Sequence, residues 1–168
     1  RPKRSELSSR SDVSLDTTFS FKYSNYLWSG TPIICSNMDT VSTIDMYTKI
    51  SEKNMIMCFH KSMDVQKIIN NHCNPDYFML STGISYDDLQ KLESNISELN
   101  KSGINLKFIC IDVANGYMFK LVEFCKKVRG MFPDKIIVAG NVVTREMVEE
   151  LILGGQVDIV KVGIGSGA

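Results

Sequence analysis

Six short apolar runs, spaced so that one helix fits between each pair, constrain the fold of this chain more tightly than any other feature. They occupy residues 32–35, 55–59, 77–80, 106–112, 136–139 and 157–162, and their β-branched or aromatic residues mark them as strands. The starts lie roughly 22 to 30 residues apart. The intervals carry helical patterns. Leu89, Leu92, Ile96 and Leu99 recur at helical spacing, opened by Ser85 with Asp87 and Asp88 in the first turn and closed by Gly103. Phe119, Val122 and residues 126–128 continue a second helix, which must end before Pro133. Thr144 caps a third that runs through Met147, Leu151 and Ile152 to Gly154 and Gly155.

Such alternation calls for parallel strands joined by crossover helices, and strands this apolar are covered on both faces. A doubly wound sheet satisfies the pattern. So does a (β/α)8 TIM barrel, whose units of about 27 to 30 residues approach the spacing here and whose chemistry sits at the C-terminal ends of its strands. The strand ends favour the barrel: polar or glycine-rich clusters follow at 36–39, 60–61, 81–83, 112–116, 140–141 and 163–167, and a barrel gathers all six on one rim. The α/β fold expected is therefore a single, partial TIM-barrel domain over 1–168. Residues 1–30 form an N-terminal arm with accessory strands, and 31–168 supply barrel strands one to six. Ahead of the barrel, Val13, Leu15, Thr17, Phe19 and Phe21 alternate as in an extended ribbon or hairpin. Six strands leave two edges and apolar surface open, so a longer protein is expected.

Charge narrows the partners. Nineteen Lys plus Arg balance nineteen Asp plus Glu, and a formal net charge of zero lacks the electrostatic footprint of nucleic-acid or acidic-membrane binding. No apolar run approaches the roughly 18 residues of a membrane span, and Arg1-Pro2-Lys3-Arg4 is not followed by the apolar stretch of a signal peptide. The expectation is a soluble, cytoplasmic protein with a small-molecule partner, no nucleic acid and no membrane. Five cysteines (Cys35, Cys58, Cys73, Cys110 and Cys125) contain no CxxC pair and suit a reducing compartment. His72-Cys73 lacks the second ligand pair that a tetrahedral metal site needs.

Residues 161–167, Lys-Val-Gly-Ile-Gly-Ser-Gly, place three glycines at alternate positions after a strand, where bare backbone can approach an anion or cation or simply make a tight turn. The stretch does not fit the dinucleotide fingerprint, which needs GxGxxG at a first strand-to-helix turn. Asp112 ends an apolar strand, so its carboxylate emerges at the barrel mouth, where it holds a ribose or an amide or caps the next helix. Lys61 brings a cation to a strand end, to meet an anion or to be solvated.

Taken in order, RPKRS (1–5), SSRSDV (8–13), NMDTV (37–41), IDVANGY (111–117), AGNVVT (139–144), EELIL (149–153) and KVGIGSG (161–167) resemble the IMP dehydrogenase/GMP reductase family over essentially the whole chain. NMDTV and DVANGY look like its reductase branch, where the dehydrogenase typically reads PMDTV and DSSQG. The short link 61–77 leaves no room for the insert common in dehydrogenases, although Ser166 replaces the proline usual in reductases.

The resemblance implies a tetrameric TIM-barrel oxidoreductase of purine salvage that converts GMP and NADPH to IMP, NADP and ammonia, with potassium bound. A cysteine adds to purine C2, ammonia leaves and hydride follows. By that register the nucleophile lies two positions past Ala168, and the threonine serving the leaving group also lies beyond it, so the 168 residues alone should be inactive. Cofactor contacts map by resemblance onto Ser9, Arg10, Lys61, Asp112, Val113, Ala114, Ile164 and Gly165. Met38 and Asn141 map onto the purine pocket, and the carbonyls of Gly165 and Gly167 onto potassium ligands. The alternatives are an IMP dehydrogenase or a catalytically empty nucleotide-binding or structural fragment of the family.

Overall fold

The computed structural model describes residues 7–165. After a 3-10 turn at Arg10–Asp12, strands β1 (Thr17–Ser20) and β2 (Leu27–Gly30) form an antiparallel hairpin. Then follow β3 (Ile34–Cys35), α1 (Ile44–Ser51), β4 (Ile56–Phe59), α2 (Val65–Asn70), β5 (Phe78–Thr82) and α3 (Tyr86–Lys101). The series ends with β6 (Phe108–Asp112), α4 (Phe119–Met131), β7 (Ile136–Val142), α5 (Arg145–Leu153) and β8 (Ile159–Val162). Strands β3 to β8 make one six-stranded sheet in chain order, every pair parallel. The sheet curls as a half-barrel.

Alternation along each strand divides the side chains between two cores. Met57, Phe59, Phe78, Leu80, Ile109, Ile111, Ile137 and Ala139 face outward against the helices. Ile56, Cys58, Met79, Phe108, Cys110, Ile136 and Val138 face inward. Both faces are therefore apolar, which is why the strands read as continuous runs. Helix α3 shows the matching logic on the outer layer. Ser85 and Asp88 make a reciprocal capping box, Leu89, Leu92, Ile96 and Leu99 are buried, and Gly103 just past the helix takes φ +78°. Burying each of those side chains contributes about 1.5 to 3 kcal/mol.

The hairpin closes the N-terminal end of the curl. Trp28 is buried in the inward-facing cluster and donates its indole N–H to the Asp76 carbonyl at 2.7 Å, while Phe21 meets Phe108 edge-on. The alternation read over 12–24 becomes paired strand only from Thr17, and β1 itself is exposed along its length; it is Phe21, just beyond the strand, that packs inward. Below the sheet, the fully buried Asp158 accepts from the Arg129 guanidinium at 2.5 Å and from the backbone N–H groups of Tyr23 and Ile137 at 3.0 Å each. One carboxylate thereby ties the segment before β2, helix α4 and strand β7 together.

Strands β5 and β7 run beyond the apolar stretches 77–80 and 136–139, to Thr82 and Val142. The ladder needs only backbone groups, so it continues through Ser81, Thr82 and Gly140 and resumes at Val142 after a register shift, and the polarity of these strand ends hides it in the sequence. Among the described residues no helix is long and apolar enough to cross a membrane.

Candidate active site

The chemistry-bearing residues follow from the pleat. Cys110 faces inward, so Asp112, two residues on and last in β6, also faces inward at the C-terminal mouth; by the same rule Ile159 places Lys161 there from β8. Lys161 Nζ donates to Asp112 Oδ1 at 2.7 Å, and Asn37, from the turn after β3, donates its amide to Asp112 Oδ2 at 2.7 Å. Asn37 Oδ1 in turn accepts from Lys161 at 3.4 Å. This last contact links the ends of the two outermost strands of the sheet across the mouth. Burial works against the Lys161 charge, but the neighbouring Cys110 and the Asp112 carboxylate outweigh it, holding the ammonium above the usual lysine range.

Beneath this cluster lie Cys58, Cys110 and Ser81, all buried. The S–H···S contact with Cys110, together with burial, pushes the Cys58 thiol well above its ordinary range. Burial pushes Cys73 up to about 11 and Cys125 up to about 12. Only the half-buried Cys35 has appreciable exposure among the five. A neutral alkylating reagent at pH 7 is therefore expected to label Cys35 first and the other four only after denaturation, as read by peptide mass spectrometry. Native labelling of Cys58 or Cys110 would contradict their burial on the inward face of the sheet.

Above the cluster opens a cavity of about 460 Å³ lined by Asp112, Val113, Ala114, Asn141, Lys161, Val162, Gly163, Ile164 and Gly165. The loops after β6 and β8 build it around the end of β7. Val113 donates its N–H to the Gly140 carbonyl at 3.0 Å, and the Asn141 amide donates to the Gly163 carbonyl at 3.0 Å, so the end of β7 holds both loops. Gly163 and Gly165 take φ +132° and +91°, conformations that favour glycine and bring bare backbone to the rim. Six of the residues predicted from the sequence, Asp112, Val113, Ala114, Asn141, Ile164 and Gly165, thus share a single cavity.

Of the others that the structure describes, Lys61, Met38, Ser9 and Arg10 lie outside it. Lys61, whose side chain is 55% exposed, points to Asp88 Oδ1 at 3.5 Å at the start of α3. Burial tends to raise the Asp88 carboxyl, but the Ser85 hydroxyl and backbone N–H, with Lys61, outweigh it and hold it below the usual range. Met38 is exposed in the turn beside Asn37, its carbonyl accepting from the Ser42 hydroxyl. Ser9 caps the 3-10 turn containing Arg10, and both are exposed. Gly167 and Ser166 fall outside the described residues. Lys161 and Asn37 were not singled out from the sequence as site residues. The available signal was a lysine inside an otherwise apolar run, since such a charge in a buried strand needs a partner.

An acceptor carboxylate, an amide and exposed backbone groups on the wall of an open cavity suit a polar, planar ligand group. The volume falls within the range of small-molecule sites. Asp112 offers the cavity an acceptor for a hydroxyl or amide donor, and residues 113–114 and 163–165 line its wall.

The family model described as IMP dehydrogenase / GMP reductase domain matches residues 1–168. The GMP reductase of Buchnera aphidicola subsp. Acyrthosiphon pisum is 50% identical to the chain over 173 aligned positions, covering all of this chain and 48% of that protein. The GMP reductase of Caenorhabditis elegans is 48% identical, again over all of this chain and 47% of the relative. Among solved structures, the inosine 5' monophosphate dehydrogenase of Legionella pneumophila superposes with a TM-score of 0.75 at 26% identity, covering 99% of this chain and 49% of that one. The chain spans about half the length of the curated relatives it matches.

Proposed function

We propose, from the premise that the chain belongs to the IMP dehydrogenase / GMP reductase family, that the protein carrying it is an NADPH-dependent GMP reductase. The overall reaction is GMP plus NADPH plus a proton giving IMP, NADP and ammonia. What supports the reductase branch is near-half identity to proteins named GMP reductase, together with NMDTV and DVANGY at the strand ends. The observation that carries the reading is the cavity in which segments 112–114, 141 and 163–165 meet.

When bound, the nicotinamide cofactor supplies the hydride. The residues of this chain bind and orient. Asp112 accepts a hydrogen bond from the nicotinamide-ribose end, and the backbone of 113–114 and 164–165 walls the ring. Lys61 swings from Asp88 to an anionic part of the cofactor, and Asn141 and Met38 border the purine. Ser9 and Arg10 contribute to the cofactor site of a neighbouring subunit in a tetramer, and the Gly165 and Gly167 carbonyls contribute to a potassium site. The nucleophilic thiol and the proton-transfer threonine belong, by the register of the resemblance, after Ala168. That agrees with the four buried cysteines and with Cys35 lying on an outermost strand. The protein acts in the cytoplasm.

The test is the cofactor and direction of turnover in the full-length protein. NADPH oxidation with GMP supports the reductase; NAD reduction with IMP and no reaction with GMP would make it a dehydrogenase. Lys61→Ala is expected to raise the NADPH KM about tenfold with the GMP KM unchanged, since losing one partly screened cation near an anionic ligand costs about 1 kcal/mol or slightly more. A change confined to GMP would assign Lys61 to the purine pocket instead. Residues 1–168 expressed alone should oxidise no NADPH with GMP, because covalent catalysis without its nucleophile is not replaced by positioning. Turnover abolished by mutating one of the five cysteines would contradict that placement of the thiol.

A further inference from the structure

Lys161 is the charged group at the mouth that the proposed chemistry leaves without a part. It stands on β8 in register with Gly140 of β7, and Gly140 is in register with Asp112 of β6. A Cβ on Gly140 would lie 2.5 Å from the Lys161 carbonyl oxygen and 2.6 Å from Lys161 Cβ. Glycine at this middle position therefore leaves the lysine free to lie across β7 and reach the carboxylate one strand beyond. Asn37 arrives from the far edge of the sheet and takes the other carboxylate oxygen, while its own amide oxygen accepts from Lys161. Both oxygens of Asp112 are thus held by side chains from two other elements, and the ammonium bond is charge-assisted.

We infer that Lys161 is a positioning residue: together with Asn37 it fixes the Asp112 carboxylate in the orientation that receives the cofactor, and it acts on cofactor binding through Asp112. The inference rests on the proposed reading of Asp112 as a cofactor contact. A free aspartate side chain samples several rotamers, and ordering it beforehand removes that cost from the binding step. The missing side chain at Gly140 is part of the same device, because a Cβ there would collide with the Lys161 carbonyl oxygen and Cβ and push the lysine away from β7.

The test is a double-mutant cycle on the full-length protein, reading NADP affinity by calorimetry alongside the KM of GMP and kcat. Lys161→Met is expected to weaken NADP binding about tenfold and leave the GMP KM unchanged, and Asp112→Asn to weaken it to a similar degree. The double variant should bind NADP no more weakly than Asp112→Asn alone, because once the carboxylate is gone Lys161 has nothing left to orient. Losses that multiply in the double variant would overturn the inference and make Lys161 a cofactor contact in its own right. Undiminished NADP affinity in Lys161→Met beside a weakened Asp112→Asn would overturn it too, with the reading of Asp112 intact. Undiminished affinity in Asp112→Asn would overturn both. Where Lys161→Met alone does not fold, the double variant, which leaves no unpaired charge, supplies the decisive comparison with Asp112→Asn.

Discussion

Asp112→Ala in the full-length protein is expected to lower kcat about a hundredfold while moving the GMP KM by less than threefold, the scale on which misplacing a reacting group by about an ångström acts. The direction follows from the geometry. Asp112 ends β6 with both oxygens already engaged by protein donors, at 2.7 Å from Lys161 and 2.7 Å from Asn37, so its carboxylate is a fixed feature of the cavity wall. Its neighbours in that wall, Val113 and Ala114, belong to the loop proposed for the nicotinamide end, whereas the residues proposed for the purine, Met38 and Asn141, come from the turn after β3 and from the end of β7. Alanine also leaves the half-buried Lys161 with only the longer 3.4 Å contact to Asn37, and that bare charge disturbs the same wall. Steady-state kinetics with each substrate varied separately reads the outcome. An unchanged kcat, or a loss carried wholly by GMP, would remove Asp112 from the cofactor site.

Asp158→Ala is expected to be the most destabilising single change at the closed end of the barrel, by about 3 to 5 kcal/mol, because it strands a buried guanidinium. The Asp158 side chain is 0% exposed and that of Arg129 7%. The loss extends beyond the ion pair, since the backbone N–H groups of Tyr23 and Ile137 also lose their acceptor. Arg129 keeps carbonyl partners at Pro133, Lys135 and Gln156, which soften the penalty without cancelling the charge. Urea denaturation of the two proteins side by side measures the difference. A shift below about 1 kcal/mol would mean that the carboxylate contributes no more than a surface pair does.

Different parts of this molecule were legible to different degrees. Helix α3 could be read almost residue by residue, because four apolar positions at helical spacing, a capping box at Ser85 and a glycine at 103 all state the same element. The number of barrel strands followed from spacing, yet spacing alone does not fix their order or separate a curled sheet from a doubly wound one. The difference depends on the strand-end clusters meeting, as Lys161 and Asn37 do from opposite ends of the sheet. The ends of β5 and β7 were hidden because polar rim residues continue a ladder that only backbone atoms need. At the site, Asp112 could be found as a carboxylate closing an apolar run, and residues 164–165 as a glycine turn. Lys61 stood out only as a cation at a strand end, with solvation as the alternative, and Met38 and Asn141 carried no individual signal; the roles of all three rest on the resemblance. Lys161 was overlooked because its meaning lies in a register across Gly140, a relation between three strands that no one-dimensional pattern displays.

In the proposed reaction, hydride passes from the cofactor at the barrel mouth onto the purine carbon from which ammonia departs. The most direct measurement supplies full-length protein with GMP and NADPH deuterated at the transferring position of the nicotinamide, then locates the label in the nucleotide product by mass spectrometry and NMR. The expected product is IMP carrying one deuterium at purine C2 when the correct face of the nicotinamide is labelled, with one ammonia released per NADPH oxidised. Unlabelled IMP from both faces, or NADPH oxidation without loss of ammonia from GMP, would contradict it.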